Sequence, residues 1–197
     1  FLTMASTRGT GIIGEEILDQ VKTINSIPLS VDYMGTMEVA GEGIMHLSSL
    51  KKYNEENEVK LKNARNAAAG ALRNLNTAET KRRNLDAYFY NVGYMNPNEL
   101  NSQVEVFDFL KKNRFKLYPF MRIARNYDEI ISAVDEIANM RKTIDVLTDG
   151  VVIKVSDFRT REALGFTNKF PRWALAYKFE AEKYTTIVKD VEWNIGR

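Results

Sequence analysis

Asp149-Gly150-Val151-Val152-Ile153-Lys154-Val155 and Trp173-Ala174-Leu175-Ala176-Tyr177-Lys178-Phe179 decide how this chain is read. Both runs are rich in β-branched or aromatic residues, read as strands, and carry one lysine near the end. Side chains alternate between faces along a strand. In the second run Trp173, Leu175, Tyr177 and Phe179 therefore share one face, and Ala174, Ala176 and Lys178 share the other. Two alanines beside a lysine form a shallow surface with a cation at its end. An unpaired ammonium withdrawn from water costs several kcal/mol, so each lysine is expected to be buried against a carboxylate, a carbonyl or a bound anion. A lysine that snorkels from a strand edge into water is the plainer alternative. Two such strands about twenty residues apart favour a sheet that faces phosphate.

Working outward, residues 1–7 read as extended and lead into the turn Arg8-Gly9-Thr10-Gly11. Ile17, Leu18, Val21 and Ile24 have helical spacing over residues 15–24. Residues 29–34 and 37–41 are strand candidates on either side of Gly35. Residues 47–57 read as a helix, and Asn63-Ala-Arg65-Asn-Ala-Ala-Ala-Gly70-Ala-Leu-Arg73 as an alanine-rich one. Residues 85–92 form an aromatic strand, and 104–110 a short helix. A stronger helix carries Ile130, Ile131, Val134 and Ile137, with Asn126 or Asp128 as its cap. Ser156 is placed to cap a brief helix that ends at Gly165, and strands over 173–179 and 186–193 close the chain. Helices and strands mix without regular alternation, which predicts an α+β fold rather than a doubly wound sheet.

Composition narrows the function. The 197 residues are 44% hydrophobic and 27% charged, with a net charge of +2, so bulk electrostatics do not demand a polyanionic partner. Lys81-Arg82-Arg83 and Lys111-Lys112-Asn113-Arg114 are local basic runs, expected to be solvated faces. No apolar run approaches the roughly 18 residues that span a bilayer, so no membrane partner is expected. Cys is absent, which rules out a disulfide framework and thiolate metal sites and suits a reducing, cytoplasmic setting. His46 is the only histidine and reads as a surface or turn residue. The chain opens on Phe1 inside an extended run, which suggests a piece of something longer.

Gly9-Thr10-Gly11-Ile12-Ile13-Gly14 matches the glycine pattern of dinucleotide-binding folds, with Asp32 beyond it. The preceding run holds Thr3, Ser6 and Thr7, too polar for a central parallel strand. A nicotinamide-cofactor oxidoreductase is kept only as a rival reading.

Other residues occupy odd positions for a plain core. Glu42 follows Gly41 at a strand end, where a small neighbour leaves room for a ligand and a carboxylate can accept from ribose hydroxyls. Arg65 and Arg73 flank small residues that permit close approach to a phosphate backbone, about 80° apart on a helix. Tyr90 can stack on a base. Together with Thr7-Arg8-Gly9-x-Gly11-x-x-Gly14-Glu15 and Pro171-Arg-Trp173, these stretches resemble, in order and over nearly the whole chain, the adenylation (nucleotidyltransferase) domain of bacterial NAD-dependent DNA ligases.

The resemblance implies an ATP-grasp-like nucleotidyltransferase fold over residues 1–197, with antiparallel sheets flanked by helices and an AMP pocket between the sheets. It also implies the ligation of nicked double-stranded DNA. A lysine takes AMP from NAD, AMP passes to the 5′-phosphate of the nick, and the 3′-hydroxyl displaces it. By position, Arg8 and Glu42 contact the nucleotide and Tyr90 stacks on adenine. Lys154 and Lys178 neutralise phosphate, Lys178 at the transition state, and Asp149 positions the metal or the lysine network. Arg65, Arg73 and Arg141 face the nucleic acid. Mg²⁺ is implied because phosphoryl transfer needs a hard cation, although no protein metal ligand is named. The remaining domains of the same ligase are implied partners.

The chain also departs from the family pattern. The nucleophile lies in a Lys-x-Asp-Gly motif upstream of the Arg8 turn, and no lysine precedes Lys22. Asp149-Gly150, the only Asp-Gly, has Leu147 in the lysine's place. The chain alone is therefore expected to be inactive in self-adenylation. Ala40 stands where the family has arginine, and Thr10 where it has an acid. A degenerate, non-catalytic nucleotide- or DNA-binding relative is the alternative these two departures support.

Overall fold

The computed structural model describes residues 1–9, 13–180 and 185–193. In chain order the elements are α1 (Leu18–Val21), β1 (Thr36–Ile44), α2 (Leu47–Glu56), α3 (Ala64–Leu72), α4 (Thr77–Arg82), β2 (Asp86–Asn96), α5 (Gln103–Lys112), α6 (Tyr127–Met140), β3 (Gly150–Lys154), α7 (Phe158–Leu164) and β4 (Ala174–Lys178). β1 pairs with β2 and β3 with β4, both antiparallel, as two separate two-stranded sheets. The expected α+β mixture is present, and this topology is not that of a parallel dinucleotide-binding sheet. Of the glycine pattern, residues 10–12 lie outside the described residues.

The main core lies on one face of β1–β2. Ala87 and Phe89 point into it and meet Val106 and Leu110 of α5, with Phe115 edge-on to Phe89 at 4.8 Å between ring centroids. Ala64, Ala67, Ala68 and Ala71 of α3 are all buried, at the i, i+3, i+4, i+7 spacing of one helical face. They bring α3 close to β1, where a Cβ on Gly43 would stand 2.9 Å from Leu72 Cδ1. The alanines expected to admit a phosphate backbone thus serve mainly to seat the helix, and only Ala69 and Gly70 are exposed. Asn63 caps α3 by accepting from Asn66 N–H at 3.1 Å, and Asn126, not Asp128, caps α6 by accepting from Glu129 N–H at 2.9 Å.

Several expectations fail for identifiable reasons. The helix over 15–24 shrinks to α1 because its first residues pair with the N-terminal segment: Thr7 N–H donates to Glu15 O at 2.9 Å and Ile17 N–H to Ala5 O at 2.9 Å. Residues 1–7 form only a bridge there, Ser6↔Glu16. Residues 29–34 hold no strand, since the bond from Leu2 N–H to Leu29 O at 2.8 Å is not a ladder. Residues 186–193 likewise form no strand and find no strand partner among the described residues. The cap of α7 is Asp157, accepting from Thr160 N–H at 2.7 Å; the neighbouring Ser156 instead gives its carbonyl to Gln103 N–H at 2.9 Å. The basic run 81–83 is not simply a solvated face: Arg82 and Arg83 both pair with Glu79 at 3.2 Å, and Arg83 Nη1 reaches Ala67 O at 2.8 Å, tying α4 to α3.

Candidate functional site

Glu42 of β1 lies directly opposite Tyr88 of β2. Because Ala87 and Phe89 take the core face, Glu42 and Tyr88 fall on the other. Glu42 is exposed. Gly41 does not leave room beside it as expected: a Cβ there would meet Phe89 Cδ1 at 2.8 Å and Tyr88 O at 2.9 Å, so the glycine makes way for the core phenylalanine. Gly41 pairs with Phe89 and Ala40 with Asn91, which leaves Tyr90 as the extra residue of a β-bulge. Bulges redirect side chains and gather beside sites. Here Tyr90 is 48% exposed.

The second sheet meets this face through Lys154. Its Nζ lies 5.5 Å from the centroid of the Tyr90 ring, and the side chain is half-buried. Burial, reinforced by the nearby Arg161 guanidinium, pushes the Lys154 ammonium below its ordinary range. No carboxylate is paired with it among the described residues. Lys154 is opposite Ala174, Val152 opposite Ala176, and Gly150 opposite Lys178. Both lysines therefore share one face but stand at opposite ends, about 13 Å apart along the strand at roughly 3.3 Å per residue. Burial separates them. Lys178 is exposed, contrary to expectation, because β4 is open over Leu175–Lys178; strand alternation assigns a face but not a depth.

Around the Lys178 end lie three more of the predicted residues. Phe179 N–H donates to Asp149 O at 2.9 Å, the Asp149 carboxylate stands 3.8 Å from Arg65 Nη1, and Arg141 lies over the Phe179 ring at 4.8 Å. Arg73 is elsewhere, in an ion pair with Glu15 at 2.9 Å. Arg8 is exposed, and no hydrogen bond or ion pair of its side chain joins it to the other site residues among those described. Of the predicted residues, Tyr90 and Lys154 thus meet, and Lys178, Asp149, Arg65 and Arg141 gather at the other end of the second sheet; Glu42 lies on β1 opposite Tyr88, and Arg73 and Arg8 stand apart. No cluster of three or more carboxylates or histidines able to hold a metal ion is found among the described residues.

Sequence reasoning missed two polar clusters. His46, read as a surface or turn residue, hydrogen-bonds through Nε2 to Asp86 Oδ2 at 2.9 Å and through Nδ1 with Asp145 O at 3.2 Å. Burial alone would raise the Asp86 carboxyl. Hydrogen bonds from Lys116, Ser26, His46 and Ala87 N–H outweigh it and hold the group at about 2. The other cluster joins Gln103 to Arg161, a residue with only 9% of its surface exposed whose guanidinium lies over both Phe158 and Trp173. Nothing in the local sequence marks either cluster, since each forms from segments distant along the chain.

Two separate antiparallel sheets are thus joined where the Lys154 ammonium of one meets the Tyr90 ring of the other. Residues 1–182 match the family model of the NAD-dependent DNA ligase adenylation domain, and the chain belongs to that family. Over all 197 residues it is 64% identical to a DNA ligase of Finegoldia magna. It is 50% identical over 196 residues to a DNA ligase of Alkaliphilus metalliredigens, and 50% identical over 193 residues to DNA ligase 2 of Clostridium acetobutylicum. The chain spans about 30% of the length of these relatives while itself being covered at 98% or more. Such identity does not favour a degenerate relative.

Proposed function

We propose that this chain binds the adenylate part of NAD between its two sheets and presents it to nicked duplex DNA, as the adenylation domain of a cytoplasmic bacterial ligase of nucleotidyltransferase fold. The observation that carries this reading is Lys154, a half-buried ammonium with no carboxylate partner among the described residues, held 5.5 Å from the centre of the Tyr90 ring. Such an amine is stabilised by an anion or by a base nitrogen brought to it. Tyr90 supplies an exposed ring for stacking on adenine. Glu42, on the same face as Tyr88, accepts from ribose hydroxyls. Lys178, free in solvent and next to Asp149 at the sheet's other end, supplies the charge that neutralises the phosphate as it is transferred. Arg8 adds a further nucleotide contact. Arg65, Arg73 and Arg141 give forked or stacked cations for the phosphates of the DNA.

Mg²⁺ enters this proposal through phosphate oxygens. Mg²⁺ bound in this way keeps most of its water. The remaining domains of the ligase are partners in the proposal.

AMP titrated into the chain should perturb the Tyr90 ring resonances, and Lys154→Ala should weaken binding at least tenfold, as expected when a charged contact is lost. Wild-type chain whose Tyr90 resonances ignore millimolar AMP would sink the reading. Incubation with NAD and Mg²⁺ should leave the mass of the chain unchanged, since its 197 residues hold no Lys-x-Asp-Gly; an AMP adduct would overturn that expectation.

A further inference from the structure

Tyr90, as the extra residue of the bulge, has no Cα partner on β1. Its carbonyl instead accepts from the side chain of Gln103, with Nε2 at 3.1 Å. The same amide group turns its oxygen to Arg161, accepting from Nη2 at 2.9 Å. Arg161 in turn donates from Nε to Val155 O at 2.6 Å, one residue beyond Lys154. A second link runs beside it, from Gln103 N–H to Ser156 O at 2.9 Å. A chain of three hydrogen bonds therefore joins the backbone under Tyr90 to the backbone that follows Lys154, across two sheets that share no ladder. Only one orientation of the Gln103 amide serves both neighbours, because a guanidinium must be accepted and a carbonyl must be donated to.

Gln103 and Arg161 are each at least nine-tenths buried, so the connection is sheltered from water and its hydrogen bonds hold their geometry. Arg161 is further fixed by its two aromatic neighbours, 4.6 Å to the Phe158 ring and 4.5 Å to the Trp173 ring. Both residues bond to the backbone that carries the Tyr90 ring and the Lys154 ammonium, not to the ring or the ammonium themselves.

We infer that Gln103, braced by Arg161, is a positioning residue that fixes the spacing between Tyr90 and Lys154 and thereby the slot into which a purine base inserts. The slot is an inference resting on the nucleotide reading above; the strut itself rests on the hydrogen bonds alone. Gln103→Glu separates the two. A carboxylate keeps the acceptor for Arg161, and so the buried packing, but has no N–H to give Tyr90 O and repels that carbonyl instead. Gln103→Met, which removes both links while keeping the side chain's length, serves as the second variant should the carboxylate unfold the protein.

The test is nuclear magnetic resonance on the chain, with AMP as the probe. In the wild type, Overhauser contacts should join the Lys154 ε-methylene to the Tyr90 ring. In Gln103→Glu these contacts should weaken severalfold while the contacts between Phe89 and Phe115 stay intact, and AMP affinity should fall roughly three- to tenfold, the effect of one well-placed hydrogen bond. A residue with a merely structural role would shift the melting temperature and leave the Lys154–Tyr90 contacts as they were. Contacts and affinity unchanged in both folded variants overturn the inference. Contacts that depend on Gln103 in a chain that does not bind AMP uphold the strut and overturn the nucleotide reading instead.

Discussion

The two sheets are built alike and stabilised differently. Each is a pair of antiparallel strands, but β1–β2 rests on a core containing Ala87, Phe89, Val106 and Leu110, whereas Val152, Leu175 and Tyr177 of β3–β4 are 62%, 62% and 48% exposed. An isolated two-stranded sheet is marginal in water. The second sheet is held at its ends by polar links: Arg161 and Gln103 grip Val155 and Ser156, the Tyr118 hydroxyl meets Thr148 Oγ1 at 3.0 Å, and Arg65 pairs with Asp149. The half that carries the core keeps Tyr90 and Glu42 in place. The half that carries both lysines is more open and is tethered at its ends, an arrangement suited to a surface that must admit a ligand.

This contrast is most easily broken at Leu110, which has no exposed surface. Leu110→Ala should destabilise the chain by about 2–5 kcal/mol, the range for a buried leucine that leaves a cavity, read from urea midpoints. A loss under about 1 kcal/mol would mean that the first sheet is no better supported than the second. The next largest effect belongs to Asp86. A carboxyl held at about 2 against an ordinary 3.8 contributes roughly 2 kcal/mol at neutral pH, at about 1.4 kcal/mol per unit. Its pKa is lowered on folding, so this stability is complete above about pH 5 and disappears as pH falls toward 2. Asp86→Asn should lower the neutral-pH midpoint and flatten its acid dependence. An acid slope that persists in the variant would place the titrating group elsewhere.

What could be read in the sequence follows the same division. Helical spacing and composition located α3, α5 and α6, and for α6 the cap as well, because Asn126 accepts from a backbone N–H of its own first turn, a local event. Alternation grouped Lys178 with Ala174 and Ala176, and the register that sets Lys154 opposite Ala174 brings both lysines to that face. It could not tell that one is half-buried and the other open, because depth depends on what packs over a strand. The bulge at Tyr90 and the Gln103–Arg161 link were invisible for a related reason. A bulge exists only relative to a partner's register, and Gln103 and Arg161 are separated by 58 positions. His46 and Asp86 meet across 40.

Caps give a sharper control, because a cap acts within its own helix. Asn63→Ala, on the helix that packs against β1, and Asn126→Ala, on the helix beside β3, should each cost about 1 kcal/mol despite their different surroundings. Unequal losses in paired denaturation curves would show that the helix beside the second sheet unfolds ahead of the rest, in which case the chain is not a single cooperative unit.

The smallest effect is expected at Leu175, and it bears most directly on how the second sheet is held. The residue is 62% exposed and lies on the face opposite the lysines. If end tethers rather than apolar cover stabilise β3–β4, Leu175→Ala should shift stability by no more than about 0.5 kcal/mol, as for an ordinary surface position. The same substitution should leave the Lys154–Tyr90 contacts unchanged, since Val155 and Ser156 are anchored independently of that face. A loss above about 1.5 kcal/mol would mean that the leucine is packed under something in solution, and the second sheet would then have to be treated as a covered layer like the first.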